Sequence, residues 1–316
     1  MAPMHLVIPY ASVLSDEAPT RVRELHLPHL AQLLGQLALV DRDDGEPDTL
    51  SPPHERALGA AAGWRAADGC LPFAAHAARA DGVHAGTQAW GWVTPVHWHV
   101  AHDHVRMTDP AALALTPDES RAAFDAVRDL FESVGWRLEW ASTLRWYAAH
   151  DSLDGLPCAS LDRVIGGRVE HWMRSDTHPA SPAAAIRRLQ SEVQMLLYPH
   201  PLNEAREQRG LWPLNSFWLS GCGRLQDGNM DGVTVADALR APALAQDWTA
   251  WAQAWRVLDD GPVAQWLLAA RRGQPVRLTL CGERNAHRYD RTARPWWRRM
   301  IERWQMPALH DTLLAL

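Results

Sequence analysis

Residues 4–10 read Met-His-Leu-Val-Ile-Pro-Tyr, a short apolar run that meets a proline. Such a run, bounded by breaking residues, is typical of a strand buried inside a sheet. A stretch with apolar residues at helical spacing follows at 29–34, and a further buried strand is predicted at 276–281. Strands interleaved with helices at both ends of the chain predict an α/β fold with a mostly parallel sheet core.

The middle of the chain has a different pattern. Apolar and polar residues alternate over 92–104, which predicts one or two strands. Thr116-Pro117-Asp118-Glu119 is a capping box, and it predicts a helix that ends at Gly135. Ser181-Pro182 predicts the start of another helix. Residues 215–220 predict a strand that leads into a turn at Gly221-Cys222-Gly223.

These patterns predict a discontinuous organisation. We expect the α/β core to comprise residues 1–75 and 206–316, with an inserted α+β lobe at 76–205. A stripe of three tryptophans at 248, 251 and 255 predicts the buried face of a core helix.

Composition excludes several classes of function. The chain has 316 residues and a net charge of −6, which argues against binding to nucleic acid or to an anionic membrane surface. It contains no lysine, so Schiff-base and P-loop chemistry are excluded. The four cysteines form no CxxC motif, and we expect buried, inert thiols. Neither a secretory signal nor a membrane span is evident, which predicts a cytoplasmic protein.

Several motifs occur in an order that a known family shares. The most specific are His200-Pro201-Leu202-Asn203 with Arg206 and Gly210, followed by Asn215, Trp218, Leu219, Gly221 and Gly223. In this order the chain resembles the archaeal-type cofactor-independent phosphoglycerate mutases of the alkaline phosphatase superfamily. More closely still, it resembles the RpfE-type regulatory proteins of proteobacteria. The resemblance implies a sheet core of alkaline-phosphatase type and a ligand-binding role for Asn203 and Arg206. Arg284 and Arg288 are candidates for the same role because they begin an arginine-rich stretch.

The chain departs from that family where the family holds two divalent metals. Ile8-Pro9-Tyr10 stands where the family has a metal-binding Asp at the end of the first strand. No histidine occurs between His200 and His287, where the family has an Asp-x-x-x-His motif. Gly282-Glu283-Arg284-Asn285 stands in place of Asp-His-Ser-Thr. Metal-assisted phosphoryl transfer needs such ligands, so we expect the mutase reaction to be lost.

Ser51, His54 and His287 are the weak catalytic candidates that remain. Ser51, the hydroxyl nearest to the family's nucleophile position, precedes Pro52-Pro53. A surface loop followed by a helix start is the favoured interpretation of Ser51 and His54. Asp259-Asp260-Gly261 resembles a metal loop, but a helix cap and turn is the favoured interpretation.

The sequence contains an unusually dense cluster of histidines. His97, His99, His102 and His104 lie within eight residues, and imidazoles at such spacing on a hairpin are candidate ligands for a single zinc ion. The alternative is a hairpin whose histidines bond within the fold or face solvent. Arginines and tryptophans between 284 and 304 suggest a phosphorylated ligand, although a helix with its tryptophans inward is favoured.

Two functions from different classes follow. The first is a mutase-like protein without the two-metal site, which acts by binding a phosphorylated small molecule or a protein partner, in a regulatory role and without a cofactor. The second is an active phosphomutase-like or phosphatase-like enzyme that has rebuilt its site. Whether the chain is an enzyme stays open at this point.

Overall fold

The structure is a computed structural model that describes residues 4–83, 86–173, 181–291 and 308–316. The chain divides into two compact units. Unit 1 comprises Met1–Asp48, Pro52–Gly63 and Gly228–Leu316, and unit 2 comprises Thr49–Ser51 and Trp64–Asp227. The lobe at 76–205 stays a prediction. Within the described ranges, no helix has the length and apolarity that crossing a membrane requires.

Unit 1 is built on a five-stranded sheet in the order β2-β11-β10-β1-β9. Its strands are β1 (Met4–Ile8), β2 (Ala38–Asp43), β9 (Val233–Val235), β10 (Val276–Cys281) and β11 (Ala286–Asp290). β1 runs parallel to both of its neighbours, β10 and β9, whereas β10–β11 and β11–β2 are antiparallel. Leu6, Val7 and Ile8 are fully buried, as expected of a strand covered on both faces. The α/β prediction is confirmed, with a mixed sheet.

Helices pack around this sheet. Those of unit 1 are α1 (Ala18–Glu24), α2 (Pro28–Leu34), α3 (Pro53–Ala62), α10 (Arg240–Leu244), α11 (Trp248–Leu258), α12 (Ala264–Arg271) and α13 (Leu309–Leu314). A π-helical turn, Asp259–Val263, joins α11 to α12. Trp251 and Trp255 are fully buried in the core and Trp248 packs against it, so the tryptophan stripe is confirmed as core. The predicted helix at the arginine-rich stretch involves Arg294, Arg298, Arg299 and Arg303, which lie outside the described residues.

Unit 2 contains an antiparallel sheet in the order β6-β7-β3-β8 and a separate ribbon, β4-β5. Its strands are β3 (Ala89–Val96), β4 (Trp98–Val100), β5 (Val105–Met107), β6 (Arg137–Ser142), β7 (Arg145–Ala149) and β8 (Ser216–Arg224). The predicted turn at Gly221-Cys222-Gly223 is wrong, because β8 continues through it with a shift in register. Gly221 adopts φ +64, and a Cβ there would lie 3.0 Å from the ring of Trp92. The glycine therefore permits a bulge rather than a reversal.

The helices of unit 2 cover this sheet. They are α4 (Phe73–Ala80), α5 (Pro117–Ser133), α6 (Leu161–Val164), α7 (Val169–Trp172), α8 (Pro182–Leu197) and α9 (Pro201–Gln208). The capping box of α5 is confirmed: Thr116 Oγ1 accepts from the Glu119 N–H at 3.2 Å, and Glu119 Oε2 accepts from the Thr116 N–H at 2.9 Å. Ser181 caps α8 as predicted, since its Oγ accepts from the Ala184 N–H.

Candidate functional site

The carboxyl end of β1 in unit 1 is closed by a tyrosine in an unusual conformation. Tyr10 has φ +55, which few residues other than glycine adopt, and it is 6 % exposed. Its carbonyl accepts a hydrogen bond from Trp251 Nε1 at 2.9 Å, and its ring centroid lies 5.7 Å from that of His54. An aromatic residue therefore follows β1 at the position where the resemblance implies a metal-binding carboxylate.

The three catalytic candidates are distributed over both units. His54 lies in the first turn of α3 and His287 lies on β11, paired with Leu280 of β10, so both belong to unit 1. Burial, followed by the charge of Arg42, lowers the pKa of His287 below its ordinary value. Ser51 belongs to unit 2, where it is 2 % exposed and its Oγ accepts from the Gly69 N–H at 3.0 Å. Their catalytic role stays a prediction.

Asn203 and Arg206 form internal hydrogen bonds in unit 2. Asn203 Nδ2 donates to the carbonyls of Leu197 and Leu214, and its Oδ1 accepts from the Leu214 N–H. Arg206 is completely buried and donates to the Trp212 carbonyl, to Glu119 Oε2 and to the Leu113 carbonyl, at 2.9, 2.8 and 2.5 Å respectively. These are the contacts of residues that hold loops together, and ligand binding by them stays a prediction.

Arg288 lies on β11 in the sheet of unit 1, and Arg284 lies between β10 and β11. The Arg284 carbonyl accepts from an Arg56 guanidinium nitrogen at 3.0 Å, and Arg288 forms an ion pair with Asp41 at 3.5 Å. The Nε atoms of both arginines are buried and have no hydrogen-bond partner within the described part of the chain. Their predicted role as ligand-binding residues stays a prediction.

The four histidines of the predicted zinc site lie on or beside the β4-β5 ribbon. His97 Nδ1 is 2.8 Å from the Pro213 carbonyl, and the His97 ring stacks on Trp212 and lies 6.3 Å from that of His99. The pKa of His97 is lowered below its ordinary value, mainly by burial. Its Nε2 is buried and has no hydrogen-bond partner among the described residues. His104 instead bonds to Asp103, at 2.6 Å, while His102 is exposed.

A different trio comes together in unit 1. Within residues 4–83, 86–173, 181–291 and 308–316, only His29, Asp259 and Asp260 bring three candidate metal donors within 4.8 Å of one another. Asp259 is 1 % exposed and accepts from the N–H groups of His29 and Leu30, at 3.1 and 2.7 Å, and lies 3.1 Å from His29 Nδ1. It therefore satisfies the first amides of α2. Residues 259–263 form a π-helical turn between α11 and α12 rather than the predicted helix C-cap and turn.

The residues that directly follow β1 and β10 supply no metal ligand, and the loss of the two-metal centre stays a prediction. Such a centre needs several carboxylates and imidazoles converging on one point. Pro9 and Tyr10 follow β1, and Gly282 follows β10; none of these side chains supplies a carboxylate or an imidazole.

Unit 2 contains a pocket with an interior of about 60 Å³. It lies between α8, the end of α7, β8 and the segment that precedes α6. Its wall is largely apolar and includes Leu156, Ala159, Trp172, Ile186, Trp218 and Leu219. Room of this size holds about four to six water molecules; a cavity that encloses a benzene ring has about 150 Å³, so a ring-sized ligand would lie only partly inside.

Three chemically versatile side chains also line this pocket: Cys158, Arg187 and Gln190. Gln190 is 4 % exposed, and its Nε2 donates to the Phe217 carbonyl of β8 at 3.2 Å. Its Oε1 is buried and has no hydrogen-bond partner in the described structure. The pocket therefore combines an apolar wall, one cation and one unsatisfied acceptor, which is the usual composition of a small-molecule site.

No protein-family model and no curated protein matches the chain. Two solved structures are similar in outline. One is the cofactor-independent phosphoglycerate mutase from Thermoplasma acidophilum DSM 1728: identity is 11 %, 92 % of this chain and 90 % of that chain are covered, and the TM-score is 0.35. The other is the PH0037 protein from Pyrococcus horikoshii: identity is 11 %, coverage is 92 % and 88 %, and the TM-score is 0.45. Closeness to RpfE-type proteins stays a prediction.

The sequence reasoning missed the pocket, although one signal pointed to it. Ile186, Gln190 and Val193 share a face of α8, and Gln190 is a polar residue on that otherwise apolar face. A polar side chain at such a position needs a partner, from the fold or from a ligand. The opposite wall of the pocket could not be predicted, because it comes from segments that are distant in sequence.

Proposed function

We propose that this protein acts by binding a small molecule in the unit 2 pocket, in a regulatory role, and not by metal-dependent phosphoryl transfer. One observation carries the proposal: Gln190 lines this largely apolar pocket, and its Oε1 is buried with no hydrogen-bond partner among the described residues. The motif order that resembles the archaeal-type mutases, and the aromatic residue at the end of β1, support a scaffold of alkaline-phosphatase type that has turned to binding.

The orientation of Gln190 defines what a ligand must offer. Its amide nitrogen donates to the Phe217 carbonyl, so the side chain is anchored and the oxygen is the free end. Burial of an unpartnered acceptor costs about 1–3 kcal/mol. A ligand that donates an N–H or O–H to this oxygen offsets that cost on binding. The apolar wall favours a ring or a branched hydrocarbon as the rest of the ligand.

Arg187 adds a preference for negative charge. Arg187 is half-buried and lines the same pocket, and arginine recognises carboxylates and phosphates through paired hydrogen bonds. The ligand class is therefore a small apolar molecule with one hydrogen-bond donor and an anionic group. A phosphorylated molecule belongs to this class, whereas the acidic net charge of −6 disfavours nucleic acid and anionic membranes. A protein partner and a cytoplasmic location remain parts of the proposal.

Two probes of equal shape test the proposal. Indole carries an N–H donor, and benzofuran carries an oxygen in its place. Titration calorimetry on the full chain is expected to show indole binding about tenfold more tightly, the equivalent of one hydrogen bond to a buried acceptor. Gln190→Met removes the acceptor and is expected to abolish this preference. Gln194→Met, on the exposed side of the same helix, is the matched control.

A second variant keeps the test decisive if Gln190→Met is unstable. Ala183→Leu adds three carbons to the pocket wall and is expected to weaken both probes equally. Equal affinity of indole and benzofuran for the unmodified protein, or no binding of either, would refute the proposed site.

The alternative is a metal-dependent phosphatase-like or phosphomutase-like enzyme that has rebuilt its site from His54, His287 and the arginine-rich C-terminus. It predicts stoichiometric Mn²⁺ or Mg²⁺ on elemental analysis and turnover of p-nitrophenyl phosphate or phosphoglycerate with added Mn²⁺, lost on His54→Ala. That result would overturn the binding proposal. The same elemental analysis tests the predicted zinc: one zinc per chain, lost in a His97→Ala, His99→Ala double variant, would establish it.

A further inference from the structure

Two thiols meet beneath the unit 2 pocket. Cys158 Sγ lies 3.7 Å from Cys222 Sγ, although the residues are 64 positions apart in sequence. Cys222 lies on β8 and is completely buried, whereas Cys158 is partly exposed and lines the pocket. The sequence predicted four inert cysteines; the structure places two of them in direct contact, with one open to anything that enters the pocket.

The geometry lies within reach of a disulfide. The two sulfurs must approach by about 1.7 Å to reach a bond length near 2.05 Å. Cys158 belongs to an irregular segment, between the short helical turn Asp151–Leu153 and α6, so it has more freedom than the strand residue. Its backbone is held on one side by the bond from its N–H to the Gly69 carbonyl, at 3.0 Å. On β3, Gly91 leaves room for the Cys222 sulfur, since a Cβ at Gly91 would lie 2.9 Å from that atom.

The two thiols differ in reactivity. Contact with Cys158, followed by burial, raises the pKa of the Cys222 thiol well above its usual range. A buried, protonated thiol reacts slowly with oxidants, because the thiolate is the nucleophile. The partly exposed Cys158 is therefore the first to react, and Cys222 is placed to complete the bond.

We propose that Cys158 and Cys222 form an intramolecular disulfide when a hydroperoxide reaches the pocket. The Cys158 thiolate attacks the distal peroxide oxygen, and the O–O bond breaks. Cys158 becomes a sulfenic acid, and the alkoxide or hydroxide that leaves takes up the proton that the Cys158 thiol had released. The Cys222 sulfur then attacks the Cys158 sulfur, and hydroxide leaves with the Cys222 proton as water. Two thiols are oxidised by two electrons in total, and one hydroperoxide is reduced.

The disulfide alters the pocket. Its formation draws the Cys158 side chain from the pocket wall towards β8, which changes the shape of the space that the ligand fills. This consequence rests on the proposed function, whereas formation of the disulfide does not. Oxidation is expected to weaken indole binding by about threefold or more, and dithiothreitol is expected to restore it.

Peptide mapping tests the bond directly. Because the chain contains no lysine, trypsin cleaves it only after arginine, and the four cysteines fall on separate peptides: 66–79, 146–163, 210–224 and 278–284. After treatment of the full chain with hydrogen peroxide and alkylation of the remaining thiols, we expect a cross-link between 146–163 and 210–224. Cys281 is the internal control, because it is fully buried and burial raises the pKa of its thiol. We expect it to remain a free thiol that is alkylated only once the protein is unfolded.

The variants make the assignment specific. Cys158→Ser is expected to abolish the cross-link, whereas a Cys70→Ser, Cys281→Ser double variant is expected to retain it. Conversion of Cys158 to the sulfinic acid without a cross-link, or a cross-link from Cys222 to Cys70, would overturn the inference. Failure of indole to bind the reduced protein would refute the proposed function alone and leave the disulfide result unaffected.

Discussion

Arg206 allows a sharp test of whether a buried residue supports the fold or binds a ligand. Its side chain is completely buried, and its guanidinium donates to two backbone carbonyls and to Glu119. Arg206→Met keeps most of the volume and removes all three bonds. Removal of one partner of a buried ion pair costs about 3–5 kcal/mol. Glu119 keeps its second ion pair, to Arg209, so we expect the lower end, about 3 kcal/mol.

Arg209→Met is the matched control. Arg209 contacts the same carboxylate, but its side chain is 51 % exposed, and exposed ion pairs contribute about 0–1 kcal/mol. Urea unfolding at pH 7, followed by circular dichroism, measures both variants. For a unit of this size, a loss of 3 kcal/mol lowers the melting temperature by roughly 6–12 °C. The structural assignment would be refuted if Arg206→Met were as stable as Arg209→Met while indole or phosphate binding fell.

Two further predictions concern buried polar groups. Ser120→Ala is expected to cost about 2–4 kcal/mol, because its Oγ accepts from the indole N–H groups of Trp140 and Trp146, both at 3.0 Å; Ser133→Ala, on the exposed face of the same helix, should cost far less in the same urea titration. Burial and the neighbouring Arg277 charge lower the pKa of His5 to about 4. The unfolded chain therefore binds a proton between about pH 6.5 and 4 that the folded chain does not, so stability should fall across this window as the pH drops, by about 3 kcal/mol. A His5→Gln variant should lack that part of the loss; an unchanged pH profile would contradict the assignment.

Local signals predicted the elements that depend on neighbours in sequence. The capping box at Thr116 and the cap at Ser181 fixed two helix starts, because these side chains satisfy amides only two or three residues away. Gly63, with φ +80, ends α3, and a glycine just after a helix is a local signal for such an end. The buried strands at 4–8 and 276–281 were evident from their apolar runs.

Features that depend on distant partners were not predictable. Asp259 caps α2 across 230 positions, and nothing local indicates which helix an aspartate will reach. The Gly221 bulge depends on the ring of Trp92 on the neighbouring strand, so the same glycines looked like a turn. The contact between Cys158 and Cys222 needs the register of β8 to be known. Local patterns in one sequence do not show which distant residues meet or in which register two strands pair.

The central sheet of unit 1 determines when that unit can form during synthesis. β1 has two neighbours, β9 and β10, and the later of these begins at Val276. Until the ribosome has released that strand, three fully buried residues of β1 have no sheet to join and remain open to unwanted association. Unit 2, which is almost continuous from Trp64 to Asp227, has no such delay. The first strand of a newly made chain therefore waits for most of translation before its partner strand β10 is available.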